Sequence, residues 1–497
     1  MGVVIRQSFI SSALTYVGAV VGFFNVLWLY PKFFGGLDEI GLFRVITDTA
    51  ILLVPFAQMG LSTTLVRFFP YFKNKPEHTK VLLNTFLICG VVSFLLFYVI
   101  FHWFEKPFQE YIGHNSPEVV PYLRIVLALI FILVITGILE AYSRSLLKII
   151  VPNFIKEVLI RVLSGVIVSL YFLKILDLHE LLVSLVLVYA TAMVILIVYL
   201  GYLRQLSLKL DFSIFDKALV KSILQFSLFA ILSSGSGLIV MKIDSIMVAA
   251  MLGLNENAIY TTAFYIATVI EMPRRSISQI MSPLVSSNFK QGKNPEVKSL
   301  YRKSSINLLI IGVLLFLGIV SNLDSLYFLI PKWQEFAPGK VVVILIGAAK
   351  IIDMVTGINS EIIVMSKYYK FNILAISLLA VFIITGNYYL IPAYGLAGAA
   401  MASLLSVFIF NLSKLIFIKV KFDMQPFSIN TLKVFFLGAV VFLVVYAIPR
   451  NANPIVDILV RSSVITLIYS LAVIRLKISE EVNRLYDQIL VRVKIRN

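Results

Sequence analysis

The chain has 497 residues, 60% of them hydrophobic and only 14% charged, with a mean hydropathy of +0.95. Soluble domains carry about a quarter charged residues, so this composition excludes a water-soluble fold and predicts an integral membrane protein. A single cysteine, Cys89, excludes an internal disulfide framework and a cysteine-built metal cluster.

Apolar runs near or above the roughly 20 residues that cross a bilayer as a helix recur along the chain, about fourteen in all. In chain order they fall at 8–30, 42–66, 80–104, 119–147, 153–176, 179–203, 219–250, 258–288, 303–330, 338–365, 370–391, 396–420, 430–449 and 455–475. The first, SFISSALTYVGAVVGFFNVLWLY, exceeds a secretory h-region and is followed by further runs, so it reads as an uncleaved first helix. The expected fold is all-α.

The net charge of +17 is not spread evenly. Loops after even-numbered runs hold RFFPYFKNKPEHTK, RSLLKIIVPNFIK, RQLSLKLDFSIFDKALVK and RRSISQIMSPLVSSNFKQGKNPEVKSLYRK, whereas odd loops such as YPKFFGGLDEIG hold few cations. By the positive-inside rule the even loops and both termini are cytoplasmic, and the charge calls for no nucleic acid. The tail sets Val482, Leu485, Ile489, Leu490 and Val493 at helical spacing among Arg484, Arg492 and Lys494, as an interfacial helix on anionic membrane lipids would.

Run one and run two superimpose without gaps on runs seven and eight. GLDEIGLFRVITDTA from Gly36 aligns with GLNENAIYTTAFYIA from Gly253, and the same offset pairs Phe9 with Phe226, Gly18 with Gly235 and Phe72 with Phe289. Six runs separate the copies, an even number, so equivalent helices cross in the same direction. The plan is two parallel-repeat six-helix lobes, 1–210 and 211–425, around a central cavity, then two further helices in 426–476 and a basic cytoplasmic tail in 477–497. Pro55 and Pro273 fall at near-equivalent places and are expected to act as hinges, because proline removes a backbone donor and clashes with the preceding turn.

Charges inside an apolar run cost about 2.5–3.5 kcal/mol each on the insertion scale, so they face the bundle interior and are paired or wet. Arg44 with Asp48, Glu140 with Arg144, and Lys350 with Asp353 lie three or four residues apart, on one helical face. Lys242 and Asp244 in GLIVMKIDSIMVAAMLG point nearly apart, and each needs a partner on another element.

Two stretches carry a family resemblance. KIDSIMVAAMLGLNENAIYTTAFYIA, Lys242 to Ala267, resembles the polysaccharide transport family's signature, an Asp-hydrophobic-Gly helix, a small-residue turn and a Tyr-x-x-Ala helix. IPAYGLAGAAMASLLS, Ile391 to Ser406, is similar to that family's Pro-x-Tyr-Gly-x-x-Gly-Ala-Ala turn between runs eleven and twelve. The family is part of the multidrug, oligosaccharidyl-lipid and polysaccharide exporter superfamily.

The resemblance implies an O-antigen-type flippase of a bacterial inner membrane. Its cargo is an oligosaccharide linked through a pyrophosphate to a polyprenyl carrier, and polysaccharide polymerase machinery is a further implied partner. A pyrophosphate calls for arginine in bidentate contact and lysine as a point charge, which makes Arg44, Lys242, Arg274 and Lys350 the candidate substrate cations, with Arg275 weaker. Asp48, Asp244, Glu271 and Asp353 are the candidates for coupling to a proton or sodium gradient. No cofactor is expected, and Tyr16, Tyr260 and Tyr265 are available for stacking on sugars.

Three other readings stand beside this one. A peptidoglycan lipid-precursor flippase would need the same cations, whereas a multidrug exporter of the same superfamily would expose carboxylates and aromatics. A membrane glycan polymerase or ligase would need a larger outward loop than the one holding His102, Glu105, Glu110 and His114, and no His-Glu-x-x-His, nucleophile elbow or phosphate loop occurs.

Overall fold

The structure is a computed structural model and describes residues 2–488 apart from 74, 208, 210, 212, 213 and 485. The part of the expected interfacial tail that carries Leu485, Ile489, Leu490, Arg492, Val493 and Lys494 lies outside the described residues. The chain forms two compact units, Met1–Thr261 and Thr262–Asn497.

The first unit runs through α1 (Gly2–Phe24), a π turn (Asn25–Leu29), α2 (Tyr30–Phe33), α3 (Leu37–Ala57), α4 (Leu61–Phe72) and α5 (Pro76–Gly113). It continues through α6 (Leu123–Ser145), α7 (Ile150–Phe154), a second π turn (Ile155–Leu159), α8 (Ile160–Phe172), α9 (Leu178–Tyr202) and α10 (Lys217–Leu252), and ends within α11 (Leu254–Thr268). Helix α3 packs against both α6 and α10. Its face is dry, with Val45, Ile46 and Ala50 fully buried. Gln58, just past its end, donates from Nε2 to the Val134 carbonyl of α6 at 2.8 Å, and the Thr64 and Ser227 hydroxyls join α4 to α10 at 2.9 Å.

Expected run 42–66 is not one helix. Pro55 lies two residues before the end of α3, and Met59 and Gly60 then take positive φ values of 49° and 71° before α4 begins. A Cβ on Gly60 would stand 2.6 Å from the Ser227 carbonyl oxygen, so both the backbone conformation and the close approach of α10 require glycine.

The second unit continues from α11 through a 3₁₀ turn (Val269–Glu271) into α12 (Met272–Lys290), α13 (Asn294–Val320), α14 (Leu323–Phe328) and α15 (Trp333–Phe336). Then come α16 (Lys340–Val355), α17 (Asn359–Val364), α18 (Tyr369–Phe422), α19 (Ile429–Tyr446) and α20 (Pro454–Arg475). Its core is made by α13, α16, α19 and α20 through Leu308, Leu309, Met354, Val434, Val441 and Ile465, and Tyr469 donates from α20 to the Ile310 carbonyl at 3.1 Å. One ion pair is entirely buried there: Arg461 donates from Nε to Asp457 Oδ1 at 3.0 Å, one turn away on α20. Its remaining nitrogens reach the Val445 carbonyl in the last turn of α19 and the Ile448 carbonyl in the bend after it, at 3.1 and 2.7 Å.

Among the described residues, ten helices are long and apolar enough to cross a membrane. Expected runs 370–391 and 396–420 both lie in α18, which turns at Gly395 (φ 58°, ψ −134°), a conformation open to glycine alone. Runs 153–176, 258–288 and 338–365 are built from shorter pieces: α7 and α8 joined by a π turn, α11 and α12 by the 3₁₀ turn, and α16 and α17 across Gly357. Large apolar side chains are left outside, among them Leu187 and Val198 of α9 at 61% and 64% exposure. In water such a surface drives association; in hydrocarbon it is solvated.

Candidate functional site

The singled-out charges gather into two sets, one within each unit. In the first, α3 supplies Arg44 and Asp48, one turn apart, and α10 supplies Lys242 and Asp244. The expected local pair does not form. Asp48, 6% exposed, instead accepts from Lys242 Nζ of α10 at 2.6 Å. Arg44 lies over the Tyr30 ring with its guanidinium carbon 5.3 Å from the centroid, its Nε is buried without a hydrogen-bond partner, and no described acid stands at ion-pair distance from it. The physical reason is reach. A cross-helix ammonium meets the carboxylate head-on, and α3 and α10 pack closely enough to present it.

Lys242 and Asp244 find their partners on different helices, as their divergence along α10 requires. Asp244, 4% exposed, accepts from the Tyr260 hydroxyl of α11 at 2.9 Å. Beside it, Asn257 Nδ2 donates to the Ser245 carbonyl at 2.6 Å, tying the start of α11 back to α10. Tyr260 is fully buried, with its hydroxyl engaged, so it is not presented to a sugar. No ion pair joins Glu140 to Arg144, whose side chain is exposed at the end of α6.

The second set is denser. Glu271, in the 3₁₀ turn, takes Lys350 Nζ of α16 at 2.5 Å and is approached by Arg275 Nε at 3.8 Å. Arg274 Nη1 stands 3.6 Å from Asp353 Oδ2, so Lys350 and Asp353, three residues apart on α16, pair with α12 and the turn before it rather than with each other. Asp353 Oδ1 also accepts from Asn411 Nδ2 of α18 at 2.8 Å, and Asn411 Oδ1 in turn accepts from Thr356 Oγ1 and Asn359 Nδ2, each at 2.9 Å. Pro273 sits in the first turn of α12, immediately after the 3₁₀ break, and Pro55 sits just before the break between α3 and α4.

Sequence reasoning passed over Lys414 and Asn411. Lys414 is 1% exposed, donates to Ser360 Oγ at 2.6 Å and places its ammonium 3.5 Å from the Phe410 ring centroid. Glu361 of α17 accepts from Ser278 of α12. The signal was in the sequence: NLSK, Asn411 to Lys414, interrupts an apolar run with polar residues three apart, on one helical face. Among the described residues no group of three or more His, Cys, Asp or Glu is placed to hold a metal ion.

Comparison with known proteins gives the same class. Over residues 4–289, more than half of the chain, the sequence matches the family model described as polysaccharide biosynthesis protein. An uncharacterized membrane protein of Methanocaldococcus jannaschii is 23% identical over 416 residues, covering 80% of each chain. The fold is similar to that of the Lipid II flippase MurJ in an inward closed conformation, with a TM-score of 0.73 at 15% identity, covering 94% of this chain and 99% of that one. It is also similar to an inward-facing multidrug resistance MATE family transporter of the MOP superfamily, with a TM-score of 0.62 at 13% identity, over 84% and 98% of the two chains. A MOP superfamily transporter from Pyrococcus furiosus gives a TM-score of 0.56 at 14% identity, over 85% and 95%. The chain belongs to the polysaccharide biosynthesis protein family.

Proposed function

We propose that the protein is a flippase, not an enzyme, and that it carries a polyprenyl-diphosphate-linked oligosaccharide from the inner to the outer leaflet of a bacterial cytoplasmic membrane by alternating access. Both termini lie in the cytoplasm. The observation that carries this reading is Arg44: a guanidinium on a membrane-embedded helix, over an aromatic ring, with no described acid at ion-pair distance. Such a group is costly until an anion reaches it, and a diphosphate fits its planar fork.

Lys242 stands on the neighbouring helix, held by Asp48 with part of its side chain exposed, ready to exchange that carboxylate for a phosphate oxygen. Arg274 and Lys350, each kept in place by a carboxylate, form a second cationic station. Release of these pairs by protonation or by sodium at Asp48, Asp244, Glu271 or Asp353 couples transport to an ion gradient, and the backbone bends at Pro55 and Pro273. Anionic lipids surround the carrier, and polysaccharide polymerase machinery receives the cargo.

The family's role in polysaccharide biosynthesis supports this substrate class. A second reading, transport of the peptidoglycan lipid precursor, is favoured by the likeness to a Lipid II flippase over 94% of the chain. The test is flipping of a fluorescent polyprenyl-diphosphoryl oligosaccharide in proteoliposomes by wild type, Arg44→Ala and Lys242→Ala, with insertion and orientation checked. Loss of one charge-assisted contact lowers transport roughly ten- to hundredfold in each variant. Wild-type rates in both variants sink the site, and flipping of Lipid II alone by the wild type moves the protein to the second reading.

A further inference from the structure

A cavity of about 450 Å³ lies in the second unit, away from both charge sets, where the end of α12, the turn before α18 and the last turn of α18 meet. Lys290, Lys367 and Lys421 line it together with Phe289, Tyr368 and Phe422, and none of its described lining residues is acidic. The three segments belong to loops after runs eight, ten and twelve, all on the side that the positive-inside pattern makes cytoplasmic.

Among the described residues no acid forms an ion pair with these lysines. Asp423, the nearest acid in sequence, is taken by Lys419. Lys367 and Lys421 instead approach one ring, that of Tyr368, with their ammoniums 5.2 and 5.9 Å from its centroid. The ring is itself wedged, 5.6 Å from Phe417 and 5.7 Å from Phe422, so it holds two like charges together at a fixed place. Cation–π attraction offsets little of their mutual repulsion at exposed sites. Lys290 and Lys421 occupy last helical turns, where cations suit the helix dipole. Lys367 does not, because it precedes the start of α18, at the end where the dipole favours an anion.

An apolar strip adjoins the basic cavity. Val420, one residue before Lys421, exposes 71% of its surface, and Ile416, one turn earlier on the same helix, exposes 56%. We infer that this cavity is a headgroup site for an anionic phospholipid of the cytoplasmic leaflet, its phosphate held by Lys290, Lys367 and Lys421 and its acyl chains laid along α18. The chemistry is that of basic pockets between transmembrane helices, which take lipid phosphates at the membrane surface.

The experiment is native mass spectrometry of the purified full chain titrated with phosphatidylglycerol. Wild type is compared with Lys290→Gln/Lys367→Gln/Lys421→Gln and with a control, Lys217→Gln/Lys221→Gln, that removes two exposed cations from the start of α10 in the first unit. The triple variant loses phosphatidylglycerol affinity by roughly fivefold per lysine, the control keeps it, and phosphatidylcholine binds none of them at this site. Equal phosphatidylglycerol binding by wild type and triple variant overturns the site. Displacement of the lipid by millimolar inorganic phosphate overturns the need for a lipid. Preferential retention of polyprenyl diphosphate over phosphatidylglycerol, abolished in the triple variant, replaces the phospholipid by cargo. All three lysines are exposed, so their removal leaves the packed core intact.

Discussion

Among the described residues of the first unit, Lys242 and Asp48 form a cross-helix ion pair while Arg44 stands over Tyr30 with no acid at ion-pair distance. In the second, Glu271, Lys350, Arg274 and Asp353 form two such pairs, and Asn411 fastens Asp353 to Thr356 and Asn359. The number of charges in the two sets is similar; what differs is how many partners each one has. A cation whose carboxylate is itself fastened by an amide yields last to an incoming anion, whereas a sparsely held cation answers first.

That contrast is broken most readily in the denser set. Asp353→Ala strips Arg274 of its carboxylate and Asn411 of an acceptor, leaving a cation whose side chain is only 17% exposed, and costs about 3 kcal/mol. Thermal unfolding in detergent reads it as a large fall in midpoint, smaller for Asp353→Asn; a variant that melts like wild type removes the distinction between the two sets. In the first unit the effect is smaller, because Lys242 keeps 27% of its side chain exposed. Lys242→Met destabilises by about 1–3 kcal/mol, the cost of leaving Asp48 unsatisfied, and adding Asp48→Asn recovers most of it. Equal additive losses in the double variant would mean that the two residues are not coupled.

The smallest effect sharpens the comparison from outside both sets. Asp324 on α14 accepts a hydrogen bond from Lys340, which together with Arg450 holds its carboxyl below the usual carboxylate range. A lowered native value stabilises the fold above about pH 4, the unfolded carboxyl's range, and that contribution fades as pH falls through the native value. At this half-exposed site it amounts to at most about 1 kcal/mol. Asp324→Asn therefore lowers the unfolding midpoint slightly at neutral pH and not at all in strong acid; a constant difference across that range rules out the linkage.

Hydropathy made the membrane helices legible, because twenty apolar residues in a row have one economical conformation in hydrocarbon. It did not show where runs break. The junctions at Gly60 and Gly357 depend on single residues at positive φ, and the π turns at Asn25 and Ile155 on a local change of hydrogen-bond register, both of which a window average smooths away. Pairing was the other blind spot. Arg44 and Asp48 share the i,i+4 spacing of Asp457 and Arg461, yet only the second pair closes, because a lysine from α10 claims Asp48 first. Which neighbour a charge meets is decided by packing between helices, and spacing within one helix does not encode it. Lys414 escaped for a simpler reason: a lysine near the end of an apolar run reads as snorkelling toward water, whereas α18 continues past it to Phe422 and buries it.

The Asp457–Arg461 pair has a consequence for how the chain enters the bilayer. Arg461 is satisfied by three groups, of which Asp457 travels with it on α20 while the Val445 and Ile448 carbonyls belong to the last turn of the preceding helix and the bend that follows it. Released alone into lipid, α20 would bring a guanidinium with most of its donors empty; delivered beside α19, it arrives already complemented. These two helices are thus a single unit of insertion, a hairpin whose second arm becomes membrane-compatible only because the first has left its last carbonyls open for it.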